Sequence, residues 1–228
     1  MTTDSDKIRG SINVPLSSKG ANQARTVGQK FAASGGAHEI VSSVLNRTLD
    51  TGRAIQAANP SAKLYKTPAL QSWGLGMYEG QPQKAVQGKI KGLIANPNRK
   101  APGRSAQSTS AGESLNGFKK RYLPHMRAEI HDSVTTGPKK KIIVTHGRGV
   151  KLMQAWAKAG AKPDLGIDPS VLTDYGKNDG PGTIHYLDPE VFAGIKPGIP
   201  TVDPATDLTK DGIYMVRHGV TGMNIGIS

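Results

Sequence analysis

Short apolar runs alternate along the chain with segments in which apolar residues recur every three or four positions. The runs predict β-strands over 39–43, 63–65, 142–144, 183–187 and 213–216. The periodic segments predict α-helices over about 18–34, 46–58, 115–130 and 150–156. Strands that alternate with helices form parallel sheets covered on both faces. The pattern therefore predicts an α/β fold, a three-layer α/β/α sandwich with a mostly parallel sheet.

Two stretches show neither pattern clearly. Residues 81–110 carry six basic residues and no acidic one, with prolines and glycines among them, which predicts a partly helical basic flap or mobile loop. Residues 188–211 contain four prolines and no periodicity, which predicts a linker. At 228 residues, the whole chain from 1 to 228 is predicted to form a single domain.

The charge balance is strongly basic. The chain has 30 Lys and Arg against 17 Asp and Glu, a net charge of +13, which favours anionic partners. Among these, phosphorylated small molecules are preferred over nucleic acid, because aromatic residues that would stack on bases make up only 5% of the chain. The absence of cysteine excludes disulfides and thiolate metal sites.

The sequence carries no signal for a membrane. No apolar run approaches the ~20 residues of a spanning helix, and the first residues lack the basic and apolar regions of a signal peptide. We therefore expect a cytoplasmic protein without a membrane partner. The oligomeric state stays open.

One predicted strand leads directly into a group of chemically active residues. Ile213–Val216 runs into Arg217-His218-Gly219, with Thr221 and Asn224 close behind. The carboxyl end of a strand in an open α/β sheet is the usual place for a ligand. A neutral imidazole is a good nucleophile at pH 7, and a guanidinium binds phosphate with two parallel hydrogen bonds.

The pattern Arg-His-Gly-x-Thr-x-x-Asn resembles the signature of the histidine phosphatase superfamily, the family of phosphoglycerate mutases and many phosphatases. Three other pieces resemble motifs of the same family: Ser42-Ser43-Val44-Leu45-Asn46-Arg47, Gly112-Glu113-Ser114-Leu115, and Ile142-Ile143-Val144-Thr145-His146-Gly147. The resemblance implies a phosphoglycerate mutase-like fold and an enzyme without metal or cofactor.

The resemblance also implies a role for each matching residue. His218 would be the nucleophile that forms a phosphohistidine, and His146 would donate a hydrogen bond to the transferring phosphoryl group. Arg217 and Arg47 would clamp the phosphate. Residues at the positions of further phosphate or substrate contacts are Asn224, Thr221, Lys7 and Arg9.

The motifs occur in an unusual order. In the family the Arg-His-Gly motif lies near the amino terminus, whereas here it lies near the carboxyl terminus. The residues expected to follow it, beginning at Lys7, open this chain instead. The order resembles a circular permutation of the family fold, in which the stretch 188–211 would replace the family's usual ends.

The general acid of the family is missing from both of its usual positions. Leu70–Gly80 resembles a family segment whose glutamate is the acid, and Ser72 stands in its place. Another branch of the family has its acid directly after the second histidine, where this chain has Gly147. Glu79 and Glu113 are the remaining candidates for a general acid.

These features predict a metal-independent phosphatase that acts on a phosphorylated small molecule or a phosphoramidate. Two alternatives stay open. One is a mutase of the phosphoglycerate type, and the other is a catalytically weak module that binds phosphate groups or nucleic acid. The retained histidines and arginines favour an enzyme, whereas the missing acid favours the binding module.

Overall fold

The computed structural model describes residues 7–105, 111–137, 139–173 and 180–221. The helices are α1 Ser18–Ala33, α2 Asn46–Ala58, α3 Gln83–Ala95, α4 Leu115–Thr135, α5 Gly147–Lys158 and α6 Pro189–Phe192. The strands are β1 Glu39–Ser43, β2 Lys63–Thr67, β3 Lys140–Thr145, β4 Ile184–Leu187, β5 Asp203–Pro204 and β6 Gly212–Arg217. Short 3₁₀ helices cover Pro68–Leu70, Gly76–Tyr78 and Pro169–Thr173.

The strands form one mixed sheet in the order β2-β1-β3-β6-β4-β5. The first four strands of this order are parallel to one another, whereas β4 pairs antiparallel with both β6 and β5. Thr145, at the end of β3, is level with Arg217, at the end of β6. The predicted, mostly parallel sheet is confirmed, and its register brings the motif residues to one edge.

Helices cover both faces of the sheet. Successive side chains of a strand point to opposite faces, and here the apolar side chains on each face are buried under helices. On one face, Ile143 and Met215 pack in the larger core cluster with α3, α4 and α5. On the other, Ile142 and Tyr214 pack in a second cluster with residues of α1 and α2. This arrangement confirms the three-layer sandwich.

The basic segment 81–110 is partly a packed helix rather than a mobile loop. Helix α3 lies within it, and Val86, Ile90 and Leu93 are buried in the larger core cluster. These side chains lie three or four residues apart and therefore share one helix face. The basic side chains of α3 are exposed on the other faces. Residues 106–110 of the segment lie outside the described part.

The linker predicted over 188–211 is wrong in part, because this stretch contains α6 and the edge strand β5. Asp188 caps α6 through its carboxylate, and Pro189 occupies the first turn, where a missing N–H costs little. Pro204 is tolerated because β5 lies at the edge of the sheet. Phe192, Val202 and Leu208 anchor the stretch to the cores.

The last described residues pack against the start of α1. The backbone N–H and the hydroxyl of Ser17 both donate to the Val220 carbonyl, at 2.9 and 3.0 Å. The Val220 N–H in turn donates to Gln23 Oε1 at 2.9 Å. The start of α1 and the residues after β6, which are distant in sequence, are therefore linked by hydrogen bonds beside the end of β6. None of the helices within the described ranges is long and apolar enough to cross a membrane.

Candidate active site

Two histidine rings meet at the carboxyl edge of the sheet. His146 follows β3 and His218 follows β6, and their ring centroids are 5.3 Å apart at an interplanar angle of 63°. Ser43 ends β1, next to β3 in the sheet, and Arg47 lies in the first turn of α2. Both histidines and Arg47 are buried. The parallel register thus assembles side chains from three strand ends around one point.

The hydrogen bonds of His218 define its tautomer. Nδ1 lies 2.7 Å from the Gly219 carbonyl oxygen, which can only accept, so Nδ1 carries the proton. Nε2 therefore keeps its lone pair and accepts from Arg47 Nε at 3.2 Å. Burial, together with the nearby Arg47, lowers the pKa of His218 well below its ordinary value. The ring is a neutral imidazole whose Nε2 is available as a nucleophile.

His146 has one engaged nitrogen and one open nitrogen. Its Nε2 lies 2.9 Å from Ser43 Oγ. Its Nδ1 is buried without a hydrogen-bond partner among the described residues. Burial, with Arg47 and His218 nearby, lowers the pKa of His146 well below its ordinary value. In the tautomer in which the Ser43 hydroxyl donates to Nε2, Nδ1 carries the proton and can donate it to an anion.

Arg47 links the histidines to the amino-terminal loop. Its two terminal nitrogens donate to the carbonyls of Ile12, at 2.6 Å, and Gly10, at 2.8 Å. Burial, together with Arg9, lowers the pKa of Arg47 to about 9, so the side chain stays cationic at neutral pH. This geometry fixes the guanidinium with its Nε–H directed at the reacting nitrogen.

These groups border a cavity of about 120 Å³. It is lined by Lys7, Ile8, Arg9, Gly10, Arg47, Ser72, Leu75, Gln83, His146, Gly147, Arg148, Arg217 and His218. Five of these residues are cationic at neutral pH, and no Asp or Glu of the described ranges is among them. A small cavity with this charge is suited to a phosphoryl group or another small polyanion.

The structure brings six of the predicted site residues together. The six that line the cavity are His218, His146, Arg217, Arg47, Lys7 and Arg9. Thr221 does not line it and instead forms an isolated bridge with Leu16. Asn224 lies outside the described residues.

Neither candidate acid lines the cavity. The Glu79 carboxylate accepts from the Ser11 N–H at 2.9 Å, the Ser11 hydroxyl at 2.8 Å and the Leu75 N–H at 2.8 Å. Glu113 pairs with Arg121 through both carboxylate oxygens, at 3.1 and 2.8 Å. Both carboxylates serve the architecture of the loops around the cavity, and Ser72 occupies the wall itself.

Two cavity residues with polar side chains were missed from the sequence, Arg148 and Gln83. Arg148 is the second residue of α5, and its Cζ lies 6.0 Å from the centroid of the Trp73 ring. Its position could have been noticed, because a helix that starts directly after a strand end presents its first turn to the ligand edge. Gln83 begins α3 and carries no comparable signal.

Metal ligands are grouped at a different place. Among the described residues, the one group of three possible ligands is Glu39, Glu129 and Asp132. The Lys141 ammonium lies between them, at 3.2, 2.6 and 2.8 Å from their oxygens. This cation partly neutralises the negative charge of the three carboxylates. The group lies near the start of β3, whereas His146 follows the end of β3.

Both active-site histidines are expected to stay neutral at pH values below the ordinary histidine pKa of about 6.5. Burial and neighbouring guanidinium groups disfavour the imidazolium, so the pH must fall further before either ring binds a second proton. Ring ¹⁵N chemical shifts measured during an acid titration check this, with His146→Gln and His218→Gln to assign the signals. A titration midpoint at or above the ordinary value would contradict it.

Fold and cavity together define an α/β protein in which a small cavity rich in cationic side chains lies beside two buried histidines. The family model of the histidine phosphatase superfamily (branch 1) matches residues 2–171. The chain therefore belongs to this superfamily and is a phosphatase of that family. No curated protein sequence matches the chain significantly.

Solved structures share the fold at low sequence identity. A mycobacterial hydrolase is 14% identical with a TM-score of 0.59, over 90% of this chain and 84% of its own. A mycobacterial glucosyl-3-phosphoglycerate phosphatase is 16% identical with a TM-score of 0.54, over 74% of this chain and 78% of its own. Its complex with inorganic phosphate is 18% identical with a TM-score of 0.53, over 72% and 78%. These similarities establish the fold.

Proposed function

We propose that this protein is a metal-independent phosphatase that acts on a phosphorylated small molecule through a phosphohistidine at His218. The observation that carries the proposal is the tautomer of His218. Its Nδ1 proton is held by the Gly219 carbonyl, and its Nε2 lone pair lies in a cavity lined by cations. A neutral, oriented imidazole beside bound phosphate is what nucleophilic attack on phosphorus requires.

In the first step, His218 Nε2 forms a bond to phosphorus while the bond to the leaving group breaks. Arg47 and Arg217 stabilise the negative charge of the phosphoryl oxygens, and Nδ1–H of His146 donates to one of them. Arg47 Nε, which donates to Nε2 in this structure, transfers its hydrogen bond to the phosphoryl group. In the second step, water attacks phosphorus and the P–N bond breaks.

Leaving-group chemistry follows from the lining of the cavity. No described carboxylate lines it, so none is placed to protonate a poor leaving group such as an alkoxide. Substrates with good leaving groups, among them aryl phosphates and phosphoanhydrides, are therefore preferred over alkyl phosphates. The serine at position 72 supports this preference.

Hydrolysis of p-nitrophenyl phosphate, with and without a metal chelator, tests the activity. We expect turnover that is insensitive to chelator, and a phosphoenzyme in rapidly quenched samples that is labile to acid and stable to base. A mutase would instead need a second phosphate acceptor and would release little inorganic phosphate. A chain that binds phosphate without turnover would be the binding module, and the proposal would be wrong.

We propose further that the chain is a circular permutant of the family fold. Two observations support this. The family match over residues 2–171 leaves out Arg217-His218-Gly219, although His218 and His146 share one cavity. The residues after β6 pack against the start of α1, and only 13 residues separate Thr221 from Lys7 if the termini are joined. Such a join would form a loop beside the cavity.

Joining Ser228 to Met1 and opening the chain near the exposed Lys210 should therefore preserve both folding and phosphatase activity. The matched control is the same joined chain opened between His146 and Gly147, which should lose activity because it separates His146 from α5. Circular dichroism and the chelator-insensitive assay are the measurements. Loss of the fold in the variant opened near Lys210 would refute the permutation.

A further inference from the structure

Two walls of the cavity carry different side chains, one suited to the nucleophile of a phosphoryl transfer and the other to the leaving group. At the strand ends, Arg47 donates to His218, and the His218 ring lies against the ring of His146. In the proposed function, this is the wall at which phosphorus is attacked. Ser72 and Arg148 line the same cavity. Arg148 lies over the ring of Trp73, the residue that follows Ser72. A permanent cation thus shares a wall with the position at which the family resemblance implies an acid.

A cation on this wall favours one kind of leaving group. A guanidinium is a poor general acid because it holds its protons tightly, but it stabilises an oxygen that departs as an anion. The leaving nitrogen of a phosphoramidate must gain a proton, which adjacent cations disfavour. A carboxylate leaving group carries one charge, whereas phosphate or pyrophosphate carries several. The charge of this wall therefore fits a phosphoanhydride best.

We infer that the substrate of this cavity is a phosphoanhydride, and that Arg148 stabilises the departing phosphate in place of a general acid. This inference rests on the proposed phosphatase function and specifies its substrate class. Lys7 and Arg9, which also line the cavity, add positive charge for the remaining phosphates of the substrate. Ile8 and Leu75 supply little apolar surface for an organic leaving group.

The step balances without an acid. His218 Nε2 forms a bond to the terminal phosphorus, and the bond from that phosphorus to the bridging oxygen breaks. Its electron pair stays on the bridging oxygen, which leaves as a phosphate anion against Arg148. The oxygen of a water molecule then bonds to phosphorus, and the P–N bond returns its electron pair to Nε2. The proton of the water passes to the released phosphate or to solvent.

The test compares inorganic tripolyphosphate with p-nitrophenyl phosphate, both in the presence of chelator. Both leaving groups depart without protonation, but pyrophosphate is the more highly charged. We expect Arg148→Gln to lower kcat/KM for tripolyphosphate by about 10²-fold, the usual effect of removing one stabilising donor. The loss for p-nitrophenyl phosphate should be at least several-fold smaller, and Arg148→Lys should restore part of the tripolyphosphate rate.

Arg127→Gln is the matched control, because it removes one positive charge from the exposed face of α4 and does not line the cavity. It should leave both rates near the wild-type values. Turnover of p-nitrophenyl phosphate through a phosphohistidine, without turnover of tripolyphosphate, would overturn the phosphoanhydride assignment and leave the proposed function intact. Equal losses on both substrates in Arg148→Gln would also overturn it. No phosphohistidine from either substrate would overturn the proposed function itself.

Discussion

Replacing His218 with alanine is expected to abolish phosphatase turnover, with a loss of at least about 10³-fold in kcat. The variant lacks the nitrogen that forms the bond to phosphorus, and among the described residues the other imidazole that lines the cavity is His146. The Nε2 of His146 is engaged by Ser43, and in the proposed mechanism its Nδ1 is a hydrogen-bond donor. Steady-state kinetics and the amount of acid-labile phosphoenzyme measure the effect.

The matched control for this variant is His131→Ala, which removes an exposed histidine from α4. It should retain the wild-type rate and phosphoenzyme level. Circular dichroism and thermal unfolding of His218→Ala establish whether the fold persists, since its side chain is buried and bonded to Arg47. His218→Gln, which keeps polar atoms in the site, provides a second inactive variant. A residual rate above a few per cent in folded protein would show that His218 is not the nucleophile.

The second large effect is expected from Ser72→Glu, which places a carboxyl group in the cavity wall. A general acid contributes about 10²–10⁴-fold when a poor leaving group must be protonated. Wild type should therefore show a steep fall of kcat/KM as the leaving-group pKa rises from aryl to alkyl phosphates. Ser72→Glu should flatten this dependence by increasing the rate for alkyl phosphates.

Ser72→Gln is the control for side-chain size, because it fills the same space without an acidic proton. It should keep the steep dependence of wild type. A flat dependence in wild type would mean that an acid is already present and that our assignment of position 72 is wrong. Glu79→Gln and Glu113→Gln would then show which carboxylate donates. Both changes should lower the stability of the fold, because these carboxylates accept hydrogen bonds from Ser11, Leu75 and Arg121.

Local patterns in the sequence are sufficient to predict much of this molecule. Strand β1 and helix α2 begin and end where the apolar pattern and the Asn59-Pro60 stop predict, since periodicity and end signals are local properties. The motif residues could be recognised for the same reason, because each motif is a few consecutive residues. These short segments predict the parallel strands of the sheet. They also contain, or lie next to, six residues of the cavity: His218, His146, Arg217, Arg47, Lys7 and Arg9.

The tertiary structure decided what depends on contacts between distant residues. Arg47 and His218 are 171 positions apart, and only the sheet register places the Arg47 guanidinium on Nε2. The same register turns Arg148 toward the cavity, whereas Glu79 is held by Ser11, 68 positions away. The stretch 188–211 gains order from burying Phe192 and Val202, although its own pattern lacks periodicity. Short-range pattern predicts the elements, but burial and long-range hydrogen bonds determine which charges face the ligand.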